Sequence, residues 1–185
     1  MMTLPNILTL LRMALIPCFV IAFYLPFKRA HLLAAGLFLL AAITDWLDGY
    51  LARRLNQTSK LGAFLDPVAD KLMVAVVLVV LLEARHSLLL AVPVAVIIGR
   101  EIAVSALREW MAEIGARRKV AVSMLGKVKT TLQMIALMMM VVGVGPEMPG
   151  LLYGAGMVML YAATIITLWS MVDYLVLAWP DLRES

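Results

Sequence analysis

The sequence predicts an all-α, polytopic membrane protein, one domain of six transmembrane helices over residues 1–185. Three observations predict it. Of the 185 residues, 64% are hydrophobic and 15% charged, whereas a soluble domain is about 45–50% apolar and about 25% charged. The mean hydropathy is +0.98. The apolar residues fall in six runs, each near the roughly 20 residues a helix needs to cross a bilayer, and the alternation of a membrane barrel is missing. An ordinary soluble domain, a disordered chain and a nucleic-acid-binding module are thereby excluded, so no nucleic-acid partner is expected. Cys18 is the sole cysteine. It lies in an apolar run and reads as a packing residue, with no disulfide framework or cysteine-based metal site. The first basic residue is Arg12, so the N-terminus lacks the charged start of a cleaved signal peptide.

The first span is expected at about residues 5–25 and ends before Pro26-Phe27-Lys28-Arg29. The second, about 31–54, ends in Ala52-Arg53-Arg54 and leads to the polar link Asn56-Gln57-Thr58-Ser59-Lys60. The third covers about 63–84, the fourth 87–113, the fifth 120–143 and the sixth 150–179. Gly115, Gly145-Pro146 and Pro180 punctuate the later boundaries. With the N-terminus in the cytoplasm, the external loops hold only Lys28, Arg29 and Arg85 of the 16 basic residues. The positive-inside rule then places both termini in the cytoplasm. Met138-Met139-Met140 reads as lipid-facing or helix-packing. Gly150-x-x-x-Gly154 reads as a packing face within the monomer. His31 and His86 fall in external loops and are given no role.

The chemistry concentrates in four carboxylates. Asp45 and Asp48 are spaced i,i+3 near the end of the second span, and Asp66 and Asp70 are spaced i,i+4 near the start of the third. Each spacing puts its pair on one helical face. The short link between the spans keeps both pairs near one side of the membrane. Four such groups stay ionised together only if cations compensate them. Oxygen-only ligands suit two hard divalent ions, Mg²⁺ or Mn²⁺, and such a pair suits a diphosphate. The alternative is that the carboxylates merely pair with Arg53, Arg54, Lys60 and Lys71. Gly49, Gly62 and Ala52 are small and permit close approach of a ligand or a backbone.

The run Asp45-x-x-Asp48-Gly49-x-x-Ala52-Arg53, eight residues, then Gly62-x-x-x-Asp66-x-x-x-Asp70 resembles the signature of the CDP-alcohol phosphotransferases at every fixed position. The resemblance implies six transmembrane helices, a homodimer, a di-metal site and displacement of CMP from a CDP-activated substrate by an alcohol. It implies that Asp45, Asp48 and Asp66 hold the metals, and that Asp70 contributes to the site and is the general base. It implies that Gly49, Ala52 and Gly62 line the cytidine pocket with Arg53 beside it. Three further stretches, Pro5 to Arg12, Gly99 to Trp110 and Val120 to Thr131, are similar to bacterial members of that family. Those members condense CDP-diacylglycerol with sn-glycerol 3-phosphate in the cytoplasmic membrane.

An anionic acceptor agrees with the charges. Arg100 is placed near mid-span, where an ionisable group is a functional candidate by default. Arg108 lies two turns further on, and Lys60, Lys127 and Lys129 sit at cytoplasmic helix ends. Lys60, Arg108, Lys127 and Arg100 are the candidates for holding the acceptor phosphate. Arg100 could instead pair with an acidic group in the bundle, and Glu101 is expected to pair with basic ones. Arg117, Arg118 and Lys119 read as topology determinants or contacts to anionic membrane lipids. Asn6, Thr9 and Arg12 share one face of an otherwise apolar segment that could lie along the interface. That face could hydrogen-bond the nucleotide, which makes Asn6 and Thr9 binding candidates, or simply meet water. Three other readings compete. One is a family member using inositol phosphate, serine or phosphatidylglycerol as acceptor. A prenyltransferase would normally carry its two Asp motifs far apart. A cation transporter would carry internal repeats and broken helices.

Overall fold

The computed structural model describes residues 4–55, 60–114, 124–146 and 150–184. They form six helices, α1 (Leu4–Tyr24), α2 (Ala30–Leu55), α3 (Lys60–Arg85), α4 (Leu88–Glu113), α5 (Met124–Gly143) and α6 (Gly150–Glu184). The boundaries follow the expected ones within a few residues, except that α6 continues through Pro180 to Glu184. Proline is tolerated within apolar helices where neighbours satisfy the freed backbone, and Pro17, Pro67 and Pro93 also lie inside helices. Residue 115 and the link 117–119 lie outside the described residues.

Four helices are long and apolar enough to cross a membrane, at Ile7–Tyr24, Ala30–Asp48, Leu88–Glu113 and Gly150–Val176. The apolar part of α5 is shorter, Val128–Gly143. In α3 the polar residues Asp66, Asp70, Lys71, Glu83 and Arg85 divide the hydrophobic run. Half of the candidate carboxylates are thus what sets α3 apart from an ordinary span.

The chain forms two compact units. The first comprises Met1–Arg85 with Met138–Gly154, and the second His86–Leu137 with Ala155–Ser185. In the first, α1 packs on both α2 and α3, which meet each other less. Its buried stripe runs Thr9, Arg12, Ile16, Phe19, Phe23, the 3–4 spacing of one helical face. Ala30, Ala34, Phe38 and Ala41 form the matching stripe on α2, and Ala69, Met73, Val77 and Leu81 that on α3. Alanines let the backbones approach, and Phe19 fills the space, its ring 6.5 Å from Phe38 and 6.0 Å from Phe23. The N-terminal polar face therefore does not lie open to water: Thr9 and Arg12 are buried in the bundle.

The far end of this unit is clasped by polar contacts. Tyr24 Oη donates to Glu83 Oε2 at 2.6 Å. Arg85 Nη2 donates to the Gly143 carbonyl at 3.2 Å, and its guanidinium lies 4.5 Å from the Tyr153 ring centre. His31 belongs to α2 rather than to a loop and packs edge-on against Phe23 at 4.8 Å. His86 turns the chain between α3 and α4 with φ 44°.

The second unit carries α4, the start of α5 and most of α6. Leu90, Val94, Ile97, Arg100, Val104 and Met111 make the buried stripe of α4. Val104 and Met111 cluster with Tyr174 of α6, flanked by Leu107, Trp110 and Met171. Tyr161 Oη donates to the Leu89 carbonyl at 2.7 Å, tying α6 to the start of α4.

Two expectations are corrected. Cys18 is exposed rather than packed, because it falls off the Ile16–Phe19–Phe23 stripe. Gly150 and Gly154 are exposed, and a Cβ on either would meet nothing within 4 Å, so they do not form a packing face within the chain. Met140 is buried, as a packing residue should be. The glycine that packs is Gly143, where a Cβ would stand 2.6 Å from the Tyr153 backbone nitrogen.

Gly143→Ala should therefore cost about 1–3 kcal/mol by overpacking, read as a lowered thermal midpoint in detergent. Gly154→Ala, with open space and better helix propensity, should leave the midpoint unchanged or raise it. Equal effects of the two would sink the packing assignment.

Candidate active site

Three of the four signature carboxylates converge on one strip of α1. Thr9 and Arg12 are i,i+3 neighbours and so share a face. Thr9 Oγ1 donates to Asp66 Oδ1 at 2.5 Å. Arg12 Nη1 lies 2.5 Å from Asp45 Oδ1, an ion pair rather than an aligned hydrogen bond. Arg12 Nη2 donates to Asp48 Oδ2. The i,i+3 placement of Asp45 and Asp48 thus turns both toward a single guanidinium, and α1 brings Asp66 of α3 within a turn of them.

Burial sharpens the electrostatics. Arg12 is 1% exposed and Asp48 4%, whereas the Asp45 side chain is 48% exposed. A charge is kept in such a place only when an opposite charge or hydrogen bonds compensate it. The alternative reading paired the carboxylates with Arg53, Arg54, Lys60 and Lys71, and the side chains of the first three lie outside the described residues. A partner that the sequence placed only on a polar face is Arg12. Its signal was available in part, since positions 9 and 12 continue the 16–19–23 spacing of the buried stripe.

Asp70 follows Asp66 by one turn on α3 and is exposed. Gly62 is buried at the start of α3. Gly49, Ala52 and Arg53 lie on the last turns of α2, Asn6 on the first turn of α1, Lys60 at the first residue of α3 and Lys127 in the first turn of α5. The side chains of Asn6, Ala52, Arg53, Lys60 and Lys127 lie outside the described residues, and so does the environment of Gly49.

Among the described residues, no group of three or more acidic, histidine or cysteine side chains is gathered as a metal cage. The donor chemistry nevertheless fits a hard divalent ion. All the groups are carboxylates, with a hydroxyl beside them, and two of them already share one positive charge. The carboxylate oxygens are spread along α1 by Thr9 and Arg12 rather than closed on a common point.

The second unit holds a cluster of opposite sign. Glu101 Oε1 accepts from Arg100 Nη1 at 2.7 Å and from Lys129 Nζ at 2.9 Å. Arg100 Nη2 donates to Ser170 Oγ at 3.1 Å. Arg108 Nη2 donates to Tyr174 Oη at 2.9 Å, with the guanidinium 5.2 Å from the ring centre. Arg100 and Lys129 are buried, and Arg100 and Arg108 both lie near enough to repel the Lys129 ammonium. Two cations thus share one carboxylate, with the Arg108 guanidinium close to one of them. The Nε atoms of Arg100 and Arg108, Gln133 Oε1 and Thr167 Oγ1 are buried there without a protein partner among the described residues. Arg100 and Arg108 were expected as phosphate-binding candidates, and Glu101 as a partner of basic groups. Lys129 was named among the lysines at cytoplasmic helix ends, but its contact with Glu101 was not foreseen. Ser170 and Tyr174 were missed, because only the packing of α4 and α6 brings them to these arginines.

The sequence profile of the CDP-alcohol phosphatidyltransferase family matches residues 2–169. Curated relatives match over almost the whole chain. A protein of Pectobacterium atrosepticum is 57% identical over 181 residues, covering 98% of this chain and 97% of its own. One of Sodalis glossinidius is 55% identical over 99% of this chain and 98% of its own. One of Yersinia enterocolitica is 53% identical over the same shares. Each of the three is named CDP-diacylglycerol–glycerol-3-phosphate 3-phosphatidyltransferase.

Glu101 should be the residue that makes the second cluster foldable. Glu101→Ala leaves two cations facing each other and should cost about 1–3 kcal/mol, seen as a lowered thermal midpoint. Glu109→Ala, at an exposed position of α4, should change it little. A midpoint in Glu101→Ala equal to wild type would show that the cations hold themselves without it.

Proposed function

The chain belongs to the CDP-alcohol phosphatidyltransferase family, and we propose that it transfers the phosphatidyl group of CDP-diacylglycerol to sn-glycerol 3-phosphate. The products are phosphatidylglycerol phosphate and CMP. The observation that carries this reading is the convergence of Asp45, Asp48 and Asp66 on one strip of α1, inside a chain 57% identical to a relative named for that reaction.

Asp45, Asp48 and Asp66, with Asp70 contributing, would hold Mg²⁺ or Mn²⁺, two ions in all. When bound, such ions neutralise the diphosphate and the charge on the departing CMP. Gly49, Ala52 and Gly62, small residues next to the carboxylates, would admit the nucleotide, with Arg53, Asn6 and Thr9 beside it. Thr9 already presents its hydroxyl to Asp66 and so fixes the direction of that carboxylate.

Asp70 is exposed, which suits a group that must meet an acceptor arriving from solution. It takes the proton of the acceptor hydroxyl as the new bond forms. The hydroxyl oxygen attacks the phosphorus that carries the diacylglycerol, the bond from that phosphorus to the CMP oxygen breaks, and CMP leaves. A carboxylate near cations is a weak base, so positioning of the hydroxyl matters more than basicity.

The acceptor carries a phosphate monoester, close to a dianion at neutral pH. The cluster of Arg100, Arg108 and Lys129 against Glu101 carries two positive charges in excess, and the buried Nε–H groups of both arginines have no acceptor among the described residues. We assign the acceptor phosphate to Arg100, Arg108 and Lys127 of the second unit. Serine and phosphatidylglycerol lack a phosphate monoester, so this excess charge disfavours them.

The distribution of basic residues supports six spans in a bacterial cytoplasmic membrane. Both termini and the carboxylates would then face the cytoplasm, where glycerol phosphate is found, and membrane lipids would surround the bundle. A homodimer is supported by the family resemblance alone.

Purified protein with CDP-diacylglycerol and Mg²⁺ should release CMP with sn-glycerol 3-phosphate, and not with serine, inositol phosphate or phosphatidylglycerol. Asp66→Asn and Asp70→Asn should each lower turnover by at least about 100-fold, the lower range for a lost general base. Arg108→Ala should raise the KM of the acceptor far more than that of CDP-diacylglycerol. Release with another acceptor would overturn the acceptor assignment, and full activity in Asp66→Asn the carboxylate assignment.

A further inference from the structure

Arg12 has no part in the reaction as described, yet it is one of the least exposed side chains in the protein. Its guanidinium bridges Asp45 and Asp48, and its Nε has no partner among the described residues. We propose that Arg12 is a built-in counter-cation, holding Asp45 and Asp48 in place until divalent ions arrive and competing with those ions for the two carboxylates. The inference rests on the reading of these two residues as metal ligands.

Three arguments support it. First, the guanidinium stands on Oδ1 of Asp45 and Oδ2 of Asp48. A divalent ion on the same oxygens would need to approach within about 2.0–2.1 Å, in the space the guanidinium fills. Second, each carboxylate has a second oxygen, but an ion bound there would place a double positive charge beside a buried single one. Such charges repel strongly where solvent is excluded. Third, the guanidinium can make way for an ion by moving, since among the described residues its side chain is held by the two ion pairs. Without Arg12, Asp48 would be a buried carboxylate lacking the cation that now compensates it. The arginine therefore stabilises the metal-free protein and weakens metal binding by the same contact.

The test uses full-length protein in detergent, stripped of metal and titrated with Mn²⁺ while free Mn²⁺ is followed by electron paramagnetic resonance. Arg12→Gln should bind Mn²⁺ more tightly than wild type, by roughly tenfold, a typical coupling between competing sites. Its metal-free thermal midpoint should fall, and the rise on adding Mn²⁺ should exceed that of wild type. Arg12→Lys, a point charge that cannot bridge both carboxylates as a fork does, should bind Mn²⁺ with intermediate affinity. It serves as the probe if the Gln variant does not fold. Mn²⁺ affinity in the folded variants equal to or below wild type would overturn the inference. Asp66→Asn is measured alongside, because it lies outside the Arg12 contacts. If it binds Mn²⁺ as wild type does, or wild type binds none, the metal-ligand reading itself fails.

Discussion

A charge removed from water inside an apolar bundle must meet its opposite, and the arrangement of α1, α2 and α3 depends on that constraint. Arg12 and Asp48 are both buried, on different helices, and neither is tolerable alone. Their contact fixes the rotation of α1 against α2. Thr9 with Asp66 fixes α1 against α3 in the same way. The apolar half of the same stripe, Ile16, Phe19 and Phe23 against Ala34, Phe38 and Ala41, holds the helices at close range. One face of α1 is thus divided along its length. The end with aromatic rings supplies packing, and the end with Thr9 and Arg12 receives the carboxylates.

The second unit solves the same problem with the signs reversed. Glu101 is the minority charge among Arg100, Arg108 and Lys129, as Arg12 is the minority charge among the carboxylates. A cluster with surplus carboxylates attracts cations, and one with surplus guanidinium and ammonium groups attracts anions. Tyr174 adds a different kind of support, taking the Arg108 hydrogen bond and offering its ring to the same guanidinium.

Much of this was legible in the sequence. Runs of apolar residues and their Pro, Gly and basic punctuation located all six helices, because hydrophobic length is a one-dimensional property. The carboxylates were legible because their spacing within each helix sets a common face. What was not legible depends on contacts between helices. Thr9 and Arg12 were recognisable as a face, but not what that face meets. Gly150 and Gly154 have the spacing of a packing motif and touch nothing, while Gly143, with no motif, abuts Tyr153. Lys129 reads as one more basic residue near a helix end until α4 and α5 bring it to Glu101. Pro180 reads as a stop and does not end α6, since a proline breaks a helix only when its lost hydrogen bond goes uncompensated.

Stability alone gives no reason to keep these charges. Replacing a buried ion pair by well-packed apolar residues is often neutral or stabilising, by about 1–4 kcal/mol. The face of α1 already contains an apolar solution in Ile16, Phe19 and Phe23, and extending it two turns toward the N-terminus would need only apolar residues at 9 and 12 and at their partners. The carboxylates stand where that solution would be simplest, and they are the groups that the proposed reaction would use. Arg12 then follows from the carboxylates rather than from the fold. On the proposed reading, in which Asp45, Asp48 and Asp66 meet a cationic ligand, some positive charge is needed in their midst whenever the ligand is away. A guanidinium on the neighbouring helix supplies that charge without depending on pH, and its length and fork let it hold two carboxylates at once.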